Sequence, residues 1–415
     1  MITTDELLLI LAAIMLLGFV GEIGFRKKRI PDMLLLLLIG IFIHYSGIIP
    51  DAFVSILREL LSFVGIIALT LIVFGGVLKL DLERFGGSVT KGIAIASADI
   101  IFVMGILTPF LYFVFKIHLL VALLLSAILS ETAVSFVIPL LSRIGAREEL
   151  KHAVEVETIF NSVLNIIVVL FILNIMTQQS SIIGMTGFLF ASISEAIVLG
   201  GVVGVVWLIV LKHALTSHYY VATIAMLLVL WGVSDYLNAS AILSVFIFSI
   251  IIANSSFISR IIRVSEAINT QQLDTFNSEI TFIVLTFFYV YIGILVNVLD
   301  FRALLTAFIV VVILVAIRFL EIFSLNGMTK WFGRDATMVS SFVQRGPTVI
   351  VLLGILLSLN PSIFKLYGNT IFYTVILTIL AGSILFSISS RKYISAASPI
   401  SQPIAEMPKD EVQIK

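Results

Sequence analysis

The chain has 415 residues, 60% of them hydrophobic and only 12% charged, with a mean hydropathy of +1.19. That lies far outside the range of a soluble globular domain and describes an integral membrane protein whose partner is the lipid bilayer. A net charge of +0 argues against nucleic acid as a partner, and the absence of cysteine excludes disulfides, thiolate metal sites and cysteine nucleophiles.

Apolar stretches of about 20 residues, the length that crosses a bilayer, recur along the whole chain. In chain order we expect thirteen spans, near 6–25, 33–48, 58–79, 89–115, 119–142, 150–175, 182–211, 218–235, 239–256, 272–297, 303–325, 336–359 and 367–389. The first begins with only acidic residues ahead of it, so it is expected to be a transmembrane helix and not a cleaved signal. The segment 255–275, with Arg260, Arg263 and Glu266 among Ile and Val, is expected to be an amphipathic helix lying along the inner face and dividing two bundles. Residues 1–395 should form one all-α polytopic membrane domain. The tail 396–415, with three prolines and mixed charge, is expected to be disordered and cytoplasmic, with no nucleotide-binding domain after it.

Loop charge orients the spans. With the amino terminus outside and the carboxyl terminus cytoplasmic, 19 of the 25 Lys and Arg fall on the inner side, beginning with Arg26, Lys27, Lys28 and Arg29. Only Arg58, Lys116, Arg302 and Lys365 fall outside, while Arg318 and Arg345 lie within spans.

Three polar clusters interrupt the apolar pattern. The first, Ser130-Glu-Thr-Ala-Val-Ser135, sits in the middle of span five, with Pro139 following. A helix broken at that depth frees backbone groups that can hold a cation; alternatively the hydroxyls only back-bond within an intact helix. Glu131 favours the functional reading, because a buried acid without a partner is a natural proton carrier. The second cluster is Val154-Glu-Val-Glu-Thr-Ile-Phe-Asn-Ser162 in span six, where Glu157 and Asn161, and Thr158 and Ser162, stand four apart on adjacent stripes of one helix face. Glu155 reads as a charge near the inner surface beside Lys151. The third is Gln344-Arg-Gly-Pro-Thr348 in span twelve, where Gly and Pro weaken the helix and Arg345 brings a permanent positive charge that needs a carboxylate partner. Glu157 is the expected partner. Broken segments at corresponding places in spans five and twelve suggest inverted repeats, covering spans two to six and nine to thirteen, with the breaks crossing at the midplane.

Asp99 in span four either lines a water-filled cavity or lies near the inner end. Arg318 and Glu321, three apart, read most simply as a structural pair. The five histidines show no metal-ligand spacing, and no HExxH, Walker or Ser-His-Asp pattern appears, so neither an enzyme activity nor a cofactor is expected.

These segments carry a family resemblance. The stretch 154–162 resembles the Leu-Glu-Gly-Glu-Ser-Leu-Phe-Asn-Asp segment of NhaP-like monovalent cation/proton antiporters, in the sodium/hydrogen exchanger superfamily. Ser130-Glu-Thr-Ala-Val resembles their broken-helix Ser-Ala-Thr-Asp-Pro. Phe287-Phe-Tyr-Val-Tyr-Ile-Gly293 is similar to their Phe-Phe-Val-x-x-Gly, and Arg345-Gly falls on their Arg-Gly. The resemblance implies thirteen helices in a core bundle and a dimerisation bundle, a homodimer, and alternating access that exchanges Na⁺ or K⁺ for protons. It places the cation near Thr132, Thr158 and Ser162, with Asn161 beside it and Glu157 paired to Arg345. The chain departs from the family at three acids, whose positions hold Ser162, Ala133 and Phe74. If antiport is retained, the proton needs another carrier, and Glu131, then Glu157, then Asp99 are the candidates. The departures keep open two alternatives: a transporter of this architecture for another small solute or anion, and a non-transporting homologue.

Overall fold

A computed structural model describes residues 9, 12–21, 32–47, 51–82, 86–133, 137, 147–177, 182–213, 218–261 and 269–396. Within them the regular structure is helical. The helices are α1 Ala12–Gly21, α2 Asp32–Ser46, α3 Asp51–Leu78, α4 Gly87–Phe113, α5 Leu119–Ile128, α6 Glu148–Thr177, α7 Ile182–His213, α8 Tyr219–Tyr236, α9 Ala241–Ala253, α10 Ser255–Ile261, α11 Thr270–Leu295, α12 Phe301–Thr329, α13 Ala336–Val339, α14 Pro347–Leu359 and α15 Pro361–Ala396. Hydrocarbon offers the backbone no water, so each span must satisfy its amides internally, which helices do.

Among the described residues eight helices are long and apolar enough to cross a membrane, nine if α9 and α10, bent by 79°, count as one. The shorter apolar helices α1, α2, α5 and α14 lie within the remaining expected spans. The far half of span five beyond Ala133 (apart from Val137), residues 262–268 of the expected surface helix, and the tail 397–415 lie outside the described residues. The surface helix is shorter than expected: α10 leaves the line of α9 at Ser255, but 270–275 already belong to α11, whose amino terminus is capped by the Asn269 side chain accepting from Gln272 N.

Packing sorts the helices into two groups joined by α3. In one, α4 packs on α5, α6 and α12, while α15 packs on α12 and α14. In the other, α2 packs on α11, and α9 packs on α7 and α8, with α3 touching α9, α11 and α14. The second group closes by glycine. A Cβ on Gly40 would run into the Val290 carbonyl and one on Gly293 into the Leu37 carbonyl, so α2 and α11 cross with their backbones almost touching.

At one end of the first group, Lys91 of α4 pairs with Glu149 of α6. Arg147, just before α6, pairs with Asp335 at 3.2 Å and donates to the Phe332 carbonyl at 3.3 Å.

Candidate functional site at two crossing helix breaks

Two helices of the first group fail at the same depth. After α5 the chain leaves helical geometry at 129–133, and between α13 and α14 it is non-helical at 340–346. The breaks meet, with Ala133 N donating to the Gln344 carbonyl at 3.0 Å. Small residues make the crossing possible: a Cβ on Gly346 would collide with the Cβ of Ala133. Pro347 then starts α14 at a position where its missing N–H costs nothing.

Broken helices leave orphan backbone groups, and buried orphans must be matched. On the α5 side, α6 supplies the partners. Asn161 Oδ1 accepts from Thr132 N at 2.8 Å. Asn165 Nδ2 donates to the Ala127 carbonyl and to Ser130 Oγ, the latter at 2.7 Å. On the α14 side the partner is Glu131, whose Oε2 accepts from Gly346 N at 3.0 Å. The carboxylate thus sits at the positive end of a helix, a favourable place for negative charge. Its Oε1 accepts from Ser162 Oγ at 3.1 Å. Glu131 therefore has partners at both oxygens, which corrects the expectation of a partnerless acid.

Ser162 also reaches back to the Thr158 carbonyl at 3.0 Å. The Thr158 hydroxyl itself donates to the Glu155 carbonyl, within its own helix. Thr132 with Asn161, and Ser162 with Glu131, are thus joined by hydrogen bonds, and Thr158 lies one turn before Ser162, all of them buried.

The two open readings of Asp99 resolve into a third. It is wholly buried, and its Oδ2 accepts from Asn161 Nδ2 at 3.0 Å and from Thr132 Oγ1 at 3.2 Å. Glu155 is half-buried, and Phe74, where the resemblance implied a third missing acid, is packed into the apolar core.

The expected Glu157–Arg345 pair is not formed. Glu157 Oε1 receives Arg318 Nη2 at 2.5 Å, while Arg345 Nη1 donates to the Glu131 carbonyl at 2.5 Å and lies 3.9 Å from Asp99 Oδ2. The reason is positional. Arg345 stands in the gap of the break, where bare carbonyls are the nearest acceptors. Arg318 stands on the continuous helix α12, which packs against α4.

Arg318 is the residue that sequence reasoning undervalued. Its Nη1 also meets Glu321 Oε2 at 3.0 Å and Asp99 Oδ1 at 3.6 Å, so the supposed simple pair is the hub of three acids. The available signal was two charged residues deep in an apolar span, which marks a functional candidate before it marks a structural one.

A search of curated protein sequences returns no match. Among solved structures the chain is similar to the sodium proton antiporter MjNhaP1 of Methanocaldococcus jannaschii at pH 8, with a TM-score of 0.75 and 22% identity, over 92% of this chain and 97% of that one. An electron-microscopy structure of the same antiporter gives a TM-score of 0.74 and 21% identity, over 96% and 100% of the two chains. At that identity the likeness establishes the fold. The family model described as sodium/hydrogen exchanger, transmembrane, matches residues 9–391, nearly the whole chain, and this multi-pass membrane protein therefore belongs to the sodium/hydrogen exchanger family.

Proposed function

We propose that this chain is a secondary-active monovalent cation/proton antiporter, exchanging Na⁺ or K⁺ for H⁺ by alternating access, and that Glu131 replaces the aspartate absent at Ser162. One observation carries the reading: Glu131 Oε1 lies 3.1 Å from Ser162 Oγ. A carboxylate from the broken helix reaches the place where the family carries its acid on α6, so the charge has changed helix without leaving the site.

Antiport needs one site that binds either a cation or a proton. Glu131 can be that site, since a cation and a proton compete for the same oxygens. The hydroxyls of Thr132 and Ser162, with Thr158 behind them, would complete the shell of a desolvated cation. Asn161 acts by holding the Thr132 backbone and the Asp99 carboxylate in place. In the same reading the protein has thirteen spans in a core and a dimerisation bundle, works as a homodimer, and sits in the cell membrane with its amino terminus outside and carboxyl terminus inside. The placement of Lys91 and Arg147 together at one end of the core group, paired with Glu149 and Asp335, supports that orientation.

No observation favours an anion as substrate, because the Arg345 guanidinium is buried and engaged by the Glu131 carbonyl and Thr132.

The test is exchange in proteoliposomes holding an entrapped pH dye. Adding Na⁺, K⁺ or Li⁺ should move protons in the parent protein and not in Glu131→Gln. Silence of the parent with all three cations overturns antiport. Unchanged exchange in Glu131→Gln overturns the role of that residue.

A further inference from the structure

The Arg318 cluster contains more negative charge than its cation can match. Arg318 comes from α12 and is fully buried. Three carboxylates converge on it: Glu157 on Nη2 at 2.5 Å, and Glu321 and Asp99 together on Nη1, at 3.0 and 3.6 Å. Arg345, the other buried guanidinium nearby, is spent on the first break, touching the Glu131 carbonyl at 2.5 Å and reaching Asp99 only at 3.9 Å. Glu131, the remaining acid of the region, has both oxygens matched by Gly346 N and Ser162 Oγ. Among the described residues of this region, four buried acids therefore face two cations. Unmatched buried charge is expensive enough that such groups take up protons or cations instead.

The unmatched oxygens lie around Arg318. Asp99 Oδ1, Glu157 Oε2 and Glu321 Oε1 are each buried and have no hydrogen-bond donor among the described residues. A metal ion fits poorly there, because the Arg318 guanidinium already occupies the space that all three acids face. A proton fits. Glu157 has the closest contact with Arg318 and is the settled ion pair. Asp99 and Glu321 both face one nitrogen, Arg318 Nη1, at 3.6 and 3.0 Å, which brings their carboxyl groups side by side. Two carboxylates so placed cannot both be ionised without strong repulsion, whereas one proton between them turns an acceptor into a donor.

We propose that Asp99 and Glu321 share one proton beside Arg318, forming a proton-binding site separate from Glu131. Asp99 also links this site to the first, because its other oxygen accepts from Thr132 and Asn161. Loss of the shared proton adds a full negative charge behind the helix break. That consequence for transport rests on the antiport reading, whereas the proton site does not.

Infrared difference spectroscopy on the full chain in lipid vesicles, titrated in H₂O and D₂O, tests it directly. The parent should show the carbonyl stretch of a protonated carboxyl group at neutral pH, shifted in D₂O and lost as pH rises. Glu131→Gln should retain the band, Glu321→Gln should lose it, and Glu321→Asp, which restores the acid, should regain it. No such band in the parent, or the same band in Glu321→Gln, overturns the proposal. In the exchange assay Glu321→Gln should flatten the alkaline limb of the pH profile, since an uncharged amide in place of the Glu321 carboxyl holds the pair in its protonated-like charge state. If the parent shows the band but no exchange with Na⁺, K⁺ or Li⁺, the proton site stands and antiport falls. Exchange without the band has the opposite meaning.

Discussion

Both groups of helices are largely apolar, and they are held together by different physics. Around α2, α7, α9 and α11 the contacts are chiefly glycine against backbone and apolar side chain against apolar side chain, with Gly40 and Gly293 allowing two helices to touch. Around α4, α5, α6, α12 and α14 the interior holds four carboxylates, two guanidiniums and two broken helices. Close van der Waals packing in a membrane needs only shape and tolerates no added volume. A charged interior needs matching partners, and the surplus left after matching is what can bind a cation or a proton. The difference shows how one chain separates a scaffold from a working part while both remain in hydrocarbon.

Substitutions in each group should fail in different ways. Arg318→Met should have the largest effect, because it leaves Glu157, Asp99 and Glu321 without their common cation. A loss of about 3–5 kcal/mol is expected for breaking a buried pair. A parent-like unfolding temperature of the purified protein in detergent would end the comparison. Gly293→Leu in the scaffold should cost about 1–3 kcal/mol by overpacking against the Leu37 carbonyl. The folded fraction should keep the parental pH profile of exchange, and a shifted profile would show that the scaffold group is not passive.

The smallest effect is expected at Asp300, outside the spans. Its side chain caps α12 by accepting from Ala303 N at 3.0 Å and accepts from Asn369 Nδ2 at 3.2 Å. The cap hydrogen bond, followed by the one from Asn369, holds its carboxyl below the usual aspartate range. A depressed carboxyl stabilises the folded state above its unfolded pKa, and the gain disappears as pH falls through the folded value. Asp300→Ala should therefore lose about 1 kcal/mol at neutral pH. The difference from the parent should shrink on acidification, read as converging unfolding temperatures. A constant difference would mean that charge has no part in the cap.

Much of the architecture was readable from the residues. Apolar runs located the helices, because hydrocarbon leaves the backbone no other way to satisfy itself, and α6, α7, α8, α11 and α12 begin and end within a few residues of the expected spans. Ser130-Glu-Thr and Gln344-Arg-Gly-Pro marked both breaks, since polar groups with Gly and Pro weaken a helix wherever they occur. Those signals are local. The partners were not local. Glu157 could have chosen Arg345 or Arg318, and sequence spacing says nothing about which of two distant guanidiniums arrives. Packing of α12 against α4 brought Arg318 to the acids, while the break kept Arg345 among freed carbonyls. Likewise, the resemblance implied that Ser162 stands where a carboxylate is expected, but only the crossing of the two broken helices put Glu131 against Ser162. Composition and periodicity determined that this chain is a bundle of membrane helices with buried charge. Tertiary structure decided which charges meet, because an ion pair inside a membrane depends on ångström separations between residues that can lie more than a hundred positions apart in the chain.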